Sequence, residues 1–306
     1  MRRRPSPARL AVALVAVALV TVALVAGCAA GPGGEPQPTL LPQPSAAAPT
    51  TTSAEPAGES RALELIGLWR VSGAAGESDE TWLRLAGGEF QLLRECGMIG
   101  GSWNAGVRAF LTSVYMASGE CVDPTTHQMP AVPWLASATA YEPTEAGWRL
   151  TDDSGATMAS LAIDGAPEPI DTAAESYVEP PVIDDATRAA LGKVAALPES
   201  LEPATAAELH RRWSPVAAPV TSKAHVEFHD SGAWTGSDGC NGNGGRWTTE
   251  RDGELVTTAG GSTNIGCDNI PVDGWVGGAR LAGFDGDELV LLDVSGVELG
   301  RLQQAD

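Results

Sequence analysis

The chain has 306 residues, of which 39 are acidic and 19 basic, and its formal net charge is −20 at neutral pH. This length is sufficient for two ordinary domains that each bury a core of their own. Binding of nucleic acid through counterion release requires a basic face, so the acidic balance excludes nucleic acid as a partner.

The N-terminal segment, up to Cys28, carries the pattern of an export signal. Three arginines from Arg2 to Arg4 precede an apolar run from Leu10 to Val25, and small residues then lead to Cys28. The run is shorter than the roughly 20 apolar residues of a membrane-spanning helix. The segment resembles a bacterial lipobox, which implies cleavage before Cys28 and a diacylglyceryl anchor on that cysteine. The alternative is an uncleaved membrane anchor, and both place the rest of the chain on the extracytoplasmic side.

Residues 29–60 are rich in Pro, Ala, Thr, Ser and Gly and contain few large apolar side chains. Such a composition cannot bury enough surface to fold. We therefore predict a flexible stalk that lets the folded part stand away from the membrane.

The remainder of the chain contains one skeleton twice. The interval from Trp69 to Cys96 equals the interval from Trp213 to Cys240. A further tryptophan follows each of these cysteines at the same distance, and a second cysteine follows at nearly the same distance. Because Trp and Cys are rare, this pattern predicts two tandem domains of about 100 residues each. The predicted organisation is a signal peptide (1–27), the stalk (28–60), a first domain (61–165), a linker with a short helix (166–203) and a second domain (204–306).

The local patterns are mostly those of strands. Ala224, Val226 and Phe228 alternate with polar residues, which is typical of a half-buried strand. Many short strands separated by Gly-rich turns favour a mainly β fold, with each domain a small antiparallel barrel or sandwich. In the linker, the stretch before Pro198 predicts a short helix. The linker otherwise contributes few large apolar side chains, so we do not expect it to hold the two halves together.

The turn of the second copy carries a recognisable motif. It reads Gly-Cys-Asn at 239–241 and Gly-Gly-Arg-Trp at 244–247, and a Thr-Asn-Ile-Gly-Cys segment follows at 263–267. The glycines favour tight-turn backbone. This pattern resembles the META domain, also called the HslJ-like domain, and the first copy is a divergent version without the asparagine. The resemblance implies a compact barrel-type fold, no established chemistry, and a role in envelope stress or drug tolerance. The motif residues are Gly239, Asn241, Gly244, Gly245 and Trp247.

The four cysteines of the body allow three disulfide connectivities. The repeat favours one of them, with Cys96 bonded to Cys121 and Cys240 bonded to Cys267, and an exported context permits both bonds. The alternative is buried free thiols. Neither a zinc-like spacing nor a Cys-x-x-Cys pair is present in the sequence.

Metal and catalytic patterns are weak. His225 and His229 share one face of a predicted strand, but the His-Glu-x-x-His helix of a zinc protease is missing, so we expect a solvated face and no metal. The loop from Gly239 to Glu250 has too few carboxylates for calcium. A Gly-x-Ser-x-Gly elbow is also missing. We therefore expect no cofactor and no enzymatic activity, with a hydrolase built from scattered acids as a weaker alternative.

The tryptophans at matched positions are expected to lie in the two cores. Trp82 and Trp234 fall outside the shared skeleton, so we predict that they are exposed contacts for a ligand or partner. The predicted function is that of a non-enzymatic, lipid-anchored protein that binds or supports an envelope component. The alternative is a module that binds a small molecule or glycan in a barrel mouth. Large side chains filling both interiors would favour the first.

Overall fold

The computed structural model describes residues 61–305, apart from positions 123, 127, 218, 220, 221, 264, 267 and 268. This part of the chain folds into two antiparallel sheets with a few short helices, which confirms the predicted mainly β class. In these ranges, every helix is too short or too polar to cross a membrane. The signal segment, the stalk and Cys28 lie outside the described residues.

The first sheet is an up-and-down meander of eight strands. These strands are β1 (Gly67–Ser72), β2 (Trp82–Leu85), β3 (Glu89–Arg94), β4 (Gly97–Ala105), β5 (Phe110–Gly119), β6 (Ala140–Pro143), β7 (Gly147–Thr151) and β8 (Thr157–Ala162). The first strand pairs with the last, which leaves β5 and β6 at the edges. The two edges meet at an isolated bridge between Ala109 and Ala140. Helix α1 (Ala62–Leu65) precedes the sheet, and α2 (Pro133–Ser137) joins its edge strands.

The second sheet repeats this meander and adds one strand. Helices α3 (Asp185–Leu191) and α4 (Ala206–Leu209) flank the added strand, and α5 (Val272–Gly278) stands in the place of α2. The strands are β9 (Glu202–Pro203), β10 (Arg212–Pro215), β11 (His225–Phe228), β12 (Ala233–Ser237), β13 (Gly242–Thr249), β14 (Leu255–Thr257), β15 (Leu281–Asp285), β16 (Glu288–Leu292) and β17 (Glu298–Gln304). Strands β14 and β15 meet at an isolated bridge between Glu254 and Leu281. A continuous closing ladder is not detected around either sheet within the described residues.

The matched tryptophans at the start of the two sheets make the same hydrogen bond. The indole Nε1 of Trp69 donates to the carbonyl of Leu65 at 2.8 Å, and that of Trp213 donates to the carbonyl of Leu209 at 3.1 Å. Each bond ties the short helix before the sheet to its first strand. The same four-residue spacing in both copies shows that the repeat extends to side-chain contacts.

The last hairpin also repeats in detail. The carboxylate of Asp152 accepts from the N–H groups two and four residues later, both at 2.9 Å. The carboxylate of Asp293 accepts from the same relative positions at 2.8 and 2.9 Å. These Asx-type turns explain why each copy carries an Asp-x-Ser-Gly sequence near its end.

The glycine pair in the middle of β4 and β13 allows a ring to lie against the strand. A Cβ on Gly101 would stand 2.5 Å from the ring of Phe90 and closer still to a carbonyl of β5. A Cβ on Gly245 would stand 2.8 Å from Nε1 of Trp234 and closer still to the carbonyl of Thr258. The glycine pair of the motif is therefore needed for close approach, rather than for φ > 0.

Large side chains fill the interior of both sheets. The first core contains aromatic side chains and many leucines, and the second contains their counterparts. Large side chains among these buried residues are Trp69, Phe90, Trp103, Phe110, Trp213, Phe228, Trp234 and Trp247. The matched tryptophans Trp69, Trp103, Trp213 and Trp247 are thus core residues.

The linker packs against both sheets, although its few large apolar side chains led us to expect that it would not hold the two halves together. Leu191 of α3 is buried in the first core, and Ile170 and Tyr177 pack on the outer face of the first sheet. Leu197 and Leu201 pack on the outer face of the second. The composition was misleading because a few apolar side chains, spaced widely along an otherwise acidic segment, are sufficient to cover two apolar outer faces.

The two halves share a polar seam, defined here as the contacts of residues 102–113 and 138 of the first half with residues 246–259 and 280 of the second half. Side chains of each half donate to backbone carbonyls of the other. These bonds are Ser102 Oγ to Ala259 O at 2.6 Å, Asn104 Nδ2 to Thr257 O at 3.0 Å, Arg246 to Ala138 O at 3.1 Å and Arg280 to Ala105 O at 3.1 Å. Independent folding of each half stays a prediction.

Glu250 accepts three hydrogen bonds across the seam. It precedes a 3-10 turn, Arg251–Gly253, that leads into β14. Its carboxylate accepts from the N–H groups of Val107, Arg108 and Ala109 at 2.6, 2.7 and 2.9 Å. These three residues form the β4–β5 turn, so one side chain of the second half satisfies the turn of the first. Hydrogen bonds to a charged acceptor are stronger than those between neutral groups.

We predict that Glu250→Ala lowers the free energy of unfolding by about 1–3 kcal/mol, because it leaves backbone donors at a partly buried seam without an acceptor. Urea unfolding followed by tryptophan fluorescence measures this loss. The matched control is Glu145→Ala, which removes an exposed carboxylate from another turn. Equal stability of the two variants would contradict the assigned role of Glu250.

Candidate functional site

The motif turn between β12 and β13 is built on the carboxylate of Asp238. This side chain is only 4% exposed, and one of its oxygens accepts from the N–H groups of Cys240 and Asn241 at 2.8 and 2.6 Å. Gly239, which lies between Asp238 and Cys240, has a φ of +107°, a conformation that favours glycine. The Gly-Cys-Asn part of the motif is therefore an Asx-type turn closed by the aspartate before it.

Asn241 joins this turn to a second segment of the chain. Its Oδ1 accepts from Thr263 Oγ1 at 2.9 Å and from the N–H of Ile265 at 2.7 Å. Its Nδ2 donates to the carbonyl of Ile265 and to Asp238, both at 3.0 Å. The side-chain amide thus uses all of its hydrogen-bonding capacity within the protein. Its role is to hold the two segments together.

The second oxygen of Asp238 completes the network. It accepts from Nδ2 of Asn241 and from Nδ2 of Asn269, the latter at 2.6 Å. Donors from Asn241 and then from Asn269 hold the pKa of Asp238 well below its ordinary value, because they stabilise the ionised form. Asp238 is therefore a charged and fully engaged side chain, unsuited to act as a general acid near neutral pH.

A polar depression lies beside this network, with a volume of about 480 Å³. Among the described residues, its lining contains carboxylates, amides and hydroxyls, and neither a cationic nor an aromatic side chain. The lining residues are Asp238, Asn241, Ser262, Thr263, Ile265, Gly266, Asn269 and Asp273. Asp273 has one contact within the described residues, a long 3.4 Å bond from Asn243. The depression can accept hydrogen bonds from hydroxyl or ammonium groups, and its charge disfavours anions.

The first copy has a different structure at the corresponding position. Arg94 takes the place of Asp238, two residues before the first cysteine of its copy, and pairs with the buried carboxylate of Glu77. Nε1 of Trp134 donates to the same carboxylate at 2.5 Å, and Thr81 Oγ1 donates at 3.1 Å. These side chains occupy the end of the first sheet, so the polar depression is a feature of the second copy.

The cysteines agree with the repeat as far as the structure describes them. Cys96 and Cys121 form a disulfide, with their Cα atoms 4.8 Å apart. Cys240 is also disulfide-bonded. Cys267 lies outside the described residues, so the pairing of Cys240 with Cys267 stays a prediction, as does the anchor on Cys28.

The prediction that Trp82 and Trp234 are exposed contacts is wrong. Each is only 1% exposed. Trp234 takes the place of Phe90 in the second core, and its Nε1 donates to the carbonyl of Thr258 at 2.8 Å. Trp82 lies on the outer face of the first sheet beneath the linker. The prediction fails because a residue outside the repeated pattern can still be buried, and the repeat does not show which segment of the chain packs over it.

The other motif residues and the two histidines lie in structural positions. Gly244 and Gly245 lie in β13, and Trp247 is buried with its Nε1 bonded to the carbonyl of Ala233 at 2.9 Å. His225 Nδ1 contacts the carbonyl of Lys223, and His229 Nε2 contacts Thr235 Oγ1. Over the described ranges, groups of three or more His, Cys, Asp or Glu able to hold a metal are absent.

Sequence reasoning missed Asp238, Asn269 and Asp273. A signal for Asp238 existed, because Ser-Asp-Gly before a cysteine is typical turn chemistry. Asn269 and Asp273 gave no local signal, because they reach the turn only through tertiary contacts. No family model, curated protein or solved structure matches this chain.

We predict that Asp238→Asn lowers the free energy of unfolding by about 1–3 kcal/mol near neutral pH, because an amide cannot accept all four hydrogen bonds. The folded pKa of Asp238 lies below its unfolded value, so its stabilising contribution is full above about pH 4 and is lost as the pH falls further. The difference between wild type and variant should therefore shrink at acidic pH. Chemical unfolding across this pH range measures it, with Asp287→Asn at an exposed turn as the control. A difference that is constant with pH would contradict the argument.

Proposed function

We propose that this chain is a lipid-anchored extracytoplasmic protein whose two META-like halves bind or support another envelope component without catalysing a reaction. The observation that supports contact through the surface, rather than inside a barrel, is the packing of both interiors by large aromatic and aliphatic side chains. A ligand-binding barrel needs an open interior pocket. The filled cores favour contact through the outer surface, and thus the first predicted function over binding inside a barrel.

The location rests on the sequence and gains support from one bond. The lipobox-like segment ending at Cys28 implies an anchor, and residues 29–60 supply a stalk. The disulfide between Cys96 and Cys121 is typical of an oxidising compartment. A diacylglyceryl group provides two acyl chains, which is sufficient for stable attachment.

Binding of a small molecule or glycan is a second candidate, now at the surface. The polar depression beside Asp238 favours it, because the carboxylate of Asp273 and the hydroxyls of Ser262 and Thr263 in its lining suit a ligand rich in hydroxyl or ammonium groups. The hydrolase alternative gains no support from this site, since the carboxylate of Asp238 is fully engaged by donors.

We predict that Cys28→Ala abolishes signal cleavage and acyl labelling. Metabolic labelling with a fatty acid and fractionation of the membrane measure both, and growth under envelope-acting drugs measures the supporting role. The variant should fail to restore drug tolerance in cells lacking the wild-type chain. Ser53→Ala in the stalk is the control. If the signal peptide of Cys28→Ala is cleaved and the chain is acylated as in wild type, the anchor at Cys28 is contradicted. If the variant is released from the membrane but still restores full drug tolerance, the anchor is not needed for the supporting role.

The depression can be tested separately with Gly266→Phe. A Cβ at Gly266 meets open space, so the added ring should occupy the depression without disturbing the fold. If contact is made elsewhere on the surface, we expect unchanged drug tolerance. The control is Gly277→Phe, also next to open space but outside the lining. Loss of tolerance in Gly266→Phe alone, with unchanged unfolding, would favour the second candidate.

A further inference from the structure

The outer face of the first sheet carries an apolar cluster on β1 to β4, and the matching strands of the second sheet, β10 to β13, lack it. Its members are separate from the main core and are each at most 5% exposed: Leu68, Trp82, Leu93 and Met98. In the second copy the matched positions hold Arg212, His225, Ser237 and Gly242, none of which is buried. We call the four residues of the first copy the outer cluster. Its apolar character is therefore not a requirement of the repeated fold.

A segment of the linker covers the outer cluster. We call residues 164–179 the strap. Four of its side chains pack against the cluster and stay only partly buried: Ile170, Ala173, Tyr177 and Val178. A 3-10 helix, Glu175–Val178, forms within the strap. The apolar face thus already accommodates a peptide segment, which is the chain's own.

The strap is held weakly to the sheet. Its backbone hydrogen bonds within the described residues are internal, such as Ala173 N–H to Ile170 O and Tyr177 N–H to Ala174 O. Two arginines of the sheet hold its ends. Arg84 donates to Glu179 O at 3.1 Å and lies over the ring of Tyr177, and Arg70 donates to Asp164 O and pairs with the Asp164 carboxylate, both at 3.4 Å. A segment attached by partly buried side chains and few bonds belongs to the low-stability end of a structure.

The covered face also contains polar atoms that the strap does not satisfy. Nε1 of Trp82 and Oγ of Ser118 are buried, and neither has a hydrogen-bond partner in the described part of the chain. Ser118 pairs with Met98 across β4 and β5, so it neighbours the outer cluster. The other buried indoles of the two cores donate to acceptors, which makes Trp82 an exception that calls for an explanation. The strap therefore leaves a donor of this face unpaired, and an acceptor on another occupant could satisfy it.

The charged side chains beside the outer cluster indicate which charge a bound peptide should carry. Arg70 lies 4.7 Å from the ring centre of Trp82, and Arg84 lies 5.7 Å from that of Tyr177. Arg70 pairs with the carboxylate of Asp164 in the strap at 3.4 Å and with that of Glu80 at 3.6 Å. The strap as a whole is acidic, with carboxylates at positions 164, 168, 171, 175 and 179. The face therefore suits an acidic peptide with aliphatic or aromatic side chains.

We propose that the outer cluster, with Arg70 and Arg84 beside it, is a docking surface for an acidic, aliphatic peptide segment of a partner protein, and that the strap occupies it until the partner competes. This inference rests on the proposed binding role and names a class of partner for it. It is independent of the anchor, because the docking step requires only the described surface.

The test uses a labelled synthetic peptide with the sequence of residues 164–179 and the full chain in detergent. The variant Ile170→Ser/Tyr177→Ser loosens the strap, and peptide binding is followed by fluorescence anisotropy. We expect the variant to bind the peptide at least about tenfold more tightly than wild type, because a larger fraction of its docking surface is free. Val182→Ser, at a position 82% exposed just beyond the strap, should bind as wild type does.

Charge reversal makes the test specific. In the loosened variant, Arg84→Glu should weaken binding of the acidic peptide, and a peptide with lysine in place of its last glutamate should recover part of that loss. If the double variant does not fold, Tyr177→Ser alone serves for the same comparison. A folded, loosened variant that fails to bind the peptide, or that binds a scrambled peptide equally well, would overturn the proposal. Failure of the anchor at Cys28 would leave this result unchanged, so the two proposals are separable.

Discussion

Hydrogen bonds from buried indoles to backbone carbonyls connect the sheets of this protein to the segments around them. Trp69 and Trp213 each hold the helix before their sheet, and Trp234 holds the end of β14. A buried indole N–H requires an acceptor, and a backbone carbonyl a few ångströms away fixes the chain that carries it. In each case the ring is buried in a core, and its N–H donates to a carbonyl of a neighbouring segment. Trp82 is covered by the strap, but its Nε1 has no hydrogen-bond partner within the described residues.

The two copies share the same strand order and core positions, and they differ at one end of the sheet and on its outer face. At the end near the first cysteine, the first copy pairs Arg94 with Glu77, whereas the second places Asp238 in an amide network beside an open depression. On the outer face of β1 to β4, the first copy carries an apolar cluster under the strap, whereas the matching positions of β10 to β13 in the second copy are not buried and hold Arg, His, Ser and Gly. Both differences lie outside the filled interiors, so substitutions there leave the core packing intact. This is where two copies of one fold can acquire different binding roles.

The seam explains how the two halves form one compact body while each retains its own core. Its contacts are mainly side chains bonded to backbone carbonyls or N–H groups, with a small apolar cluster of Ala109, Leu111 and Val256 among them. In such a seam, directional hydrogen bonds fix the orientation of the halves, and the apolar contacts are few. Glu250 and Arg280 serve this role in the second copy by binding backbone groups of the first.

The sequence alone was sufficient for the mainly β class, the Cys96–Cys121 disulfide, and the burial of the matched tryptophans. Each depends on spacing along the chain: alternation marks strands, and rare residues at equal intervals mark a repeat. The covering of Trp82 by the strap, the burial of Trp234, and the contacts of Asn269 and Glu250 were decided by the tertiary structure. Alternation shows that a strand has two faces, but it does not show which distant segment packs on each face. Those contacts join residues far apart in the chain, and their side chains look like ordinary surface residues until the fold brings them together.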